Sequence, residues 1–250
     1  MSNDNLTESN HWDEETSRVF INYGRYYVPQ REYQMQIISG LLSNLTGPNH
    51  LIDLCCGEGL LDEVILERFP ELTIEGLDGS EEMLQRAGER LSKFGDRFTC
   101  RKFELAATDW RKPNQKINAV ISSLAIHHLT GAQKQELFKD IFKMLAKDGV
   151  FIVADVIAHQ HEMGQHQAAE ALDEIVRQRS LELDGNTAAF DFFKKEGWNI
   201  FHYLAPDDID KPSPLFAQLN WLESSGFSDI DVHWMLAGHV IFSARKSVST

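Results

Sequence analysis

The chain has 250 residues, 42% hydrophobic and 25% charged, which is enough apolar material for one large α/β domain and does not demand two. With 24 basic against 38 acidic residues, the formal net charge of −14 argues against a broad phosphate-neutralising surface, and so against nucleic acid as a partner. Three cysteines make no disulfide framework, the first ten residues are polar, and no apolar run approaches membrane-spanning length, so a soluble cytoplasmic protein with no membrane contact is expected.

Residues 1 to about 16 are expected to be mobile. Val19 to Leu45 reads as helical, carries Phe20, Tyr23, Tyr26 and Tyr27, and breaks near Pro29. Leu51, Ile52 and Leu54 form a short apolar run suited to a strand buried on both faces. Gly57 and Gly59 then turn the chain into a helix from Leu60 to Phe69. Leu72 to Leu77 is a second strand with Asp78 at its carboxyl end. Ser80 caps the next helix, which has Glu81 and Glu82 in its first turn and Met83, Leu84, Ala87 and Leu91 as its apolar stripe. Arg97 to Phe103 and Ile117 to Ser123 are the third and fourth strands. Thr130 and Gln133 make a capping box for a helix that Gly149 should end, and Val150 to Val156 is the fifth strand.

Ile157 to Pro212 is an insertion long enough to carry structure of its own, and it starts where open α/β sheets bind ligands, which makes it a lid candidate. A helix is expected over Ala168 to Leu183, followed by Phe190, Phe192, Phe193, Trp198, Phe201 and Tyr203, mostly as the insertion's own core, and then the acidic turn Asp207-Asp208-Ile209-Asp210. Ser213 to Ser225 is the last helix, stopped by Gly226-Phe227. Ile230, Val232, Trp234 and Leu236 alternate, as do Val240, Phe242 and Ala244, so the two strands should form an antiparallel hairpin about Ala237-Gly238.

The segment Asp53-Leu-Cys55-Cys56-Gly57-Glu58-Gly59, with Asp78 downstream, is a nucleoside-binding pattern: a glycine turn at the mouth of a strand, and a carboxylate that can accept from ribose hydroxyls. A dinucleotide fingerprint would need a third glycine where Asp62 stands, and Glu58 and Asp62 would oppose a diphosphate. A nicotinamide-dependent reductase is therefore disfavoured, and a cationic nucleoside suits the charge.

Four segments in the right order, covering about Leu51 to Val156, resemble the class I S-adenosylmethionine-dependent methyltransferases. They are Asp53 to Gly59, Gly76 to Ala87, Ile117 to Leu129, and Leu145 to Val153. The resemblance implies a doubly wound, seven-stranded Rossmann-like sheet, mostly parallel with an antiparallel last strand, a helical N-terminal cap and a helical insertion after the fifth strand. It also divides the chain into a cap (1–45), a cofactor-binding core (46–156), the lid (157–212) and a C-terminal helix and hairpin (213–250).

S-adenosylmethionine is then the expected cofactor. The implied contacts are Asp53, Cys55, Gly57, Gly59, Asp78, Gly79, Glu104, Leu105 and Ser123, with Tyr26 and Arg31 reaching from the cap. Glu104 and Asp109 compete for the adenine amino group, and Cys55 departs from the family's usual glycine. His127, His128 and Asp155 are the candidate catalytic residues, each with a plain structural alternative in packing, capping or backbone bonding. No metal site is expected: His159, His161, Glu162 and His166 make only a loose cluster, and the last two histidines lack helical i, i+4 spacing. Methyl transfer to a small molecule is the first reading. A non-catalytic cofactor-binding regulator and a tRNA-directed methyltransferase are the alternatives. The sequence does not reveal the oligomeric state.

Overall fold

The computed structural model describes residues 12–43, 45, 49–113, 116–203 and 209–247. Seven strands make one sheet: β1 (His50–Leu54), β2 (Thr73–Asp78), β3 (Phe98–Lys102), β4 (Ile117–Ser123), β5 (Leu145–Val156), β6 (Ser228–Leu236) and β7 (His239–Arg245), in the order β3-β2-β1-β4-β5-β7-β6. The five strands from β3 to β5 are parallel, and β7 runs antiparallel to both of its neighbours. Strand order reverses between β1 and β4, and their carboxyl ends therefore open the crevice where doubly wound sheets bind ligands. This is the expected architecture.

The helices are α1 (Glu14–Tyr27), α2 (Arg31–Leu41), α3 (Leu60–Arg68), α4 (Glu81–Leu91), α5 (Gly131–Met144), α6 (Glu162–Asp184), α7 (Ala188–Lys195) and α8 (Leu215–Ser224). Alternate residues of β1 face opposite layers, as its apolar run requires. Ile52 and Leu54 join Leu137, Phe138 and Leu222 of α5 and α8, while Leu51 joins Ile38, Ile65 and Leu91 of α2, α3 and α4. A third, smaller core holds the insertion to α1: Tyr26 and Tyr27 pack with Leu172, Val176, Phe193 and Phe201. Most of the insertion's aromatics are core as expected, although Tyr203 is exposed.

Several boundaries differ from the sequence reading. Asp13 accepts from the Thr16 N–H and starts α1 at Glu14, inside the stretch expected to be mobile. The capping box at Thr130 is present, but α5 ends at Met144 because Leu145 already pairs with Ile117 as the first residue of β5. Gly149 thus lies within the strand, where a Cβ would approach the carbonyls of Asn118 and Ala146 to 3.0 Å. Helix α6 begins six residues earlier than expected, at Glu162. The hairpin turn has φ of 47° at Ala237 and 75° at Gly238, the pair of positive values that matches strand twist. Residues 1–11 and the turn residues Asp207 and Asp208 lie outside the described residues. Among the described residues, no helix is long and apolar enough to cross a membrane.

Candidate active site

The loop after β1 carries three left-handed residues in five positions: Cys55 (φ 59°), Gly57 (56°) and Gly59 (75°). At Cys55 the Cβ makes that conformation cost about 1–2 kcal/mol. The Asp78 carboxylate pins the loop, accepting from Gly57 N at 2.8 Å and from Ser80 N at 2.9 Å, so one side chain ties the ends of β1 and β2 together. Further lone pairs remain for ligand hydroxyls. Gly59 serves packing, since a Cβ there would stand 2.7 Å from Leu91 Cδ1.

Above this loop lies a cavity of about 1050 Å³. One side is the crevice itself, lined by Asp53, Cys55, Gly57, Asp78, Gly79, Glu104, Leu105 and Ser123. The other is an aromatic chamber between α1 and the insertion. Trp12 sits 5.9 Å from Phe20 and 6.3 Å from Trp198, Trp198 sits 5.4 Å from Tyr27, and Tyr27 sits 4.8 Å from Phe193. Drug-sized sites occupy roughly 300–1000 Å³, so this volume can hold a nucleoside together with a second molecule.

The crevice side is rich in carboxyl groups. Burial first, and then Asp78, Asp53, Asp155 and Glu104, push the Cys55 thiol well above its ordinary pKa, which locates four carboxyls around one point. The source of that acidity differs from the sequence argument. Glu58 is paired with Arg90 at 3.0 Å, and Asp62 is fully buried away from the cavity, its pKa raised by burial. Glu104 lines the cavity and Asp109 does not.

Two other expectations are corrected. Tyr26 does not reach the cavity: its hydroxyl donates to Asp184 at 2.7 Å and fastens α1 to the end of α6. Asp155 lies behind His127 rather than on the cavity wall. It accepts from the His127 backbone N at 2.9 Å and lies 2.5 Å from Nδ1 of the same ring. Arg31 does line the cavity, and burial lowers its pKa.

His127 and His128 follow β4 on a short 3-10 turn, their ring centroids 4.1 Å apart. The His127 ring bridges two carboxylates, with Nδ1 on Asp155 and Nε2 3.2 Å from Asp210 Oδ1. Burial alone would lower its pKa, but the charges and hydrogen bonds of Asp155 and Asp210 outweigh burial and raise it to about 10. His128 moves the other way: burial and the neighbouring His127 lower its pKa, so its ring is neutral at neutral pH. His128 Nδ1 faces two acceptors, Ile209 O and Asp210 Oδ1, each at 3.2 Å. This places a ring proton on Nδ1 and the lone pair on Nε2.

The end of the insertion is held onto this turn. Lys211 N donates to His127 O at 2.8 Å, and the buried Lys134 amine donates to Lys211 O at 2.5 Å and to Ser213 Oγ at 2.8 Å. Burial lowers the pKa of Lys134 to about 8.

The sequence reading missed Tyr27 and Trp12 as cavity residues, and it saw Asp210 only as part of an acidic turn. The Tyr27 hydroxyl is buried without a partner among the described residues while its ring lines the cavity. No local spacing announces any of the three.

A family model described as a methyltransferase domain matches residues 51–149, the segment that builds the crevice on the sheet found here. The chain carries a methyltransferase domain over these residues and is an S-adenosylmethionine-dependent methyltransferase. Its cofactor is S-adenosylmethionine, and the carboxylate-rich crevice side suits that cation. This methyltransferase is 24% identical over 241 residues to a carboxy-S-adenosyl-L-methionine synthase of a Nitratiruptor species, covering 94% of the chain and 92% of the relative. It is 28% identical over 192 residues to a trans-aconitate 2-methyltransferase of an Acidovorax species, covering 72% and 68%. In fold it resembles an O-methyltransferase family protein from Burkholderia thailandensis, with a TM-score of 0.67 at 12% identity over 95% of this chain and 61% of that one.

Proposed function

We propose that this methyltransferase acts on a small, ring-bearing acceptor held in the aromatic chamber. The observation that carries this reading is the continuous 1050 Å³ cavity that joins the carboxylate-lined crevice to the aromatic wall. Asp78 and Glu104 would hold the cofactor's ribose and adenine, Gly57, Gly79, Leu105 and Ser123 would shape its bed, and Arg31 would meet its methionine carboxylate. Bound there, the cofactor supplies a methyl group already activated on a sulfonium.

A direct displacement asks the protein for alignment, exclusion of water and removal of at most one proton. Trp12, Tyr27 and Trp198 would align a flat acceptor, with the Tyr27 hydroxyl as its hydrogen-bond partner. The insertion, with Asp210 seated on the histidine pair, would close the chamber as a lid. His127, protonated between two carboxylates, is a poor base. His128, neutral and with its lone pair on Nε2, is the group able to take a proton, and Asp155 positions its neighbour.

The test is turnover of labelled S-adenosylmethionine against a panel of small aromatic and carboxylic acceptors and against bulk tRNA. Methyl incorporation into a small acceptor is expected. Incorporation into tRNA alone would overturn the reading.

A second reading rests on one observation: three relatives matched over 94% of this chain are named carboxy-S-adenosyl-L-methionine synthases. In that case a second substrate would supply a carboxyl group to the cofactor's methyl carbon, with loss of one methyl proton to a base, and the carboxylated cofactor would be the product. Mass spectrometry separates the two, since methyl transfer leaves S-adenosylhomocysteine and the alternative leaves a heavier nucleoside.

A further inference from the structure

We infer that His127, His128 and Asp210 form a binding site for a divalent first-row transition-metal ion at the wall of the acceptor chamber. One ligand atom from each of the three residues lies within 4.8 Å of the others. His127 Nε2 and His128 Nδ1 each stand 3.2 Å from Asp210 Oδ1. An ion with bonds of 2.0–2.1 Å to tetrahedral ligands sets them about 3.3 Å apart, so the donors already stand near the edge lengths of such a site. Two imidazoles and one carboxylate suit zinc, cobalt or iron, and disfavour the all-oxygen preference of magnesium and calcium.

A second observation points the same way. Ligating histidines usually give their other ring N–H to a carboxylate, which fixes the tautomer and raises the basicity of the ligating nitrogen. His127 is held in that manner, with Nδ1 2.5 Å from the buried Asp155 and the backbone N–H of the same residue on the other Asp155 oxygen. Two carboxylates therefore flank one ring, one on each nitrogen, and this arrangement needs positive charge. An ion between His127 Nε2 and Asp210 would leave Asp155 as the acceptor behind the ring.

All three ligands line the cavity, so a three-ligand site leaves its remaining position open to the acceptor chamber. An acceptor oxygen, as hydroxyl, carboxylate or enolate, is the group that position would take. The ion would then lower the acceptor's proton affinity in place of His128, whose Nδ1 becomes a ligand. Only this last step rests on the methyl-transfer reading; ion binding does not.

The experiment uses the full chain after chelator treatment, titrated with Co²⁺ and Zn²⁺ by calorimetry and by Co²⁺ ligand-field absorption. One ion per chain is expected, with a spectrum of low coordination number. Asp210→Asn and His128→Gln should each weaken binding by about 100-fold, and Asp155→Asn by about 10- to 100-fold. His166→Gln, on an exposed histidine beside Glu170, should leave it unchanged. S-adenosylhomocysteine binding to the same variants reports that the cavity is folded. No ion bound, or equal affinity in Asp210→Asn and His128→Gln with the nucleoside still bound, overturns the site. Ion binding with no nucleoside bound by the unsubstituted chain would overturn the functional reading and leave the site standing.

Discussion

Asp62 offers a quantitative test of how the glycine loop is supported. It is fully buried on α3, and neither oxygen has a conventional donor among the described residues. Its neighbour is the Asp53 carboxyl, itself driven well above its ordinary pKa by burial and by the charge of Asp62. Two carboxyls in that setting share a proton, which Asp53 donates. Burial raises Asp62 from 3.8 to about 7. Because the folded-state value lies above the unfolded one, the folded chain binds the proton more tightly between about pH 4 and pH 7. The Asp62 contribution is therefore complete below that window, falls across it and is flat above it, while the raised Asp53 carboxyl adds a loss of the same sign as pH rises.

A rise from 3.8 to about 7 corresponds to a loss of about 4 kcal/mol as a ceiling. Asp62→Asn keeps the shape, carries no charge at any pH and can donate to Asp53. At pH 8 it should be more stable than the unsubstituted chain by up to about 4 kcal/mol, or roughly 10 °C in Tm, with little difference at pH 4. Urea unfolding at both pH values measures this. A stability difference between variant and unsubstituted chain that is the same at pH 4 and pH 8 would refute the raised Asp62 carboxyl.

Asp78→Ala removes both the loop tie and the ribose acceptor, and should weaken S-adenosylhomocysteine binding more than tenfold by calorimetry. Gly59→Ala meets a positive φ and the Leu91 side chain together, and should cost about 1–3 kcal/mol in chemical denaturation. Tyr26→Phe deletes the bond to Asp184 and should cost about 1 kcal/mol of stability while leaving cofactor affinity unchanged, because the residue lies off the cavity. His128→Gln should lower kcat more than KM for a protonated acceptor, and kcat for an acceptor that needs no base should barely change.

The parts of this molecule that were legible in its sequence are those fixed within a few residues. The turn at Cys55 to Gly59, the Ser80 and Thr130 caps and the Ala237-Gly238 hairpin are each set by local backbone demands, and each is present. Element ends that tertiary pairing decides were harder to read. Leu145 continues an apolar helical stripe yet is taken by β5, because its partner Ile117 is 28 residues upstream, where no local pattern points to it. The acidity of the crevice was read from Glu58 and Asp62, but Glu58 has a partner in Arg90 that no local pattern shows, and Asp62 turns inward. The histidine cluster was half legible. His127, His128 and Asp155 stand at strand ends, but Asp210 arrives from the far side of an insertion, and only the fold brings it to 3.2 Å from both rings.

The position of β7 sets a condition on how the chain is built. β5 pairs with β7 from Val150 to Val156, and Ile157 N donates to Gly238 O in the hairpin turn. Yet the insertion, α8 and β6 are all synthesised before β7 exists. A nascent chain therefore presents the open edge of β5, with Phe151, Ile152 and Val153 in it, while the insertion is already available to fold. The contacts that complete the sheet are long-range and late, the kind that slow folding and expose strands to other chains. Substitutions that weaken the β5–β7 pairing would therefore show first as lost soluble yield.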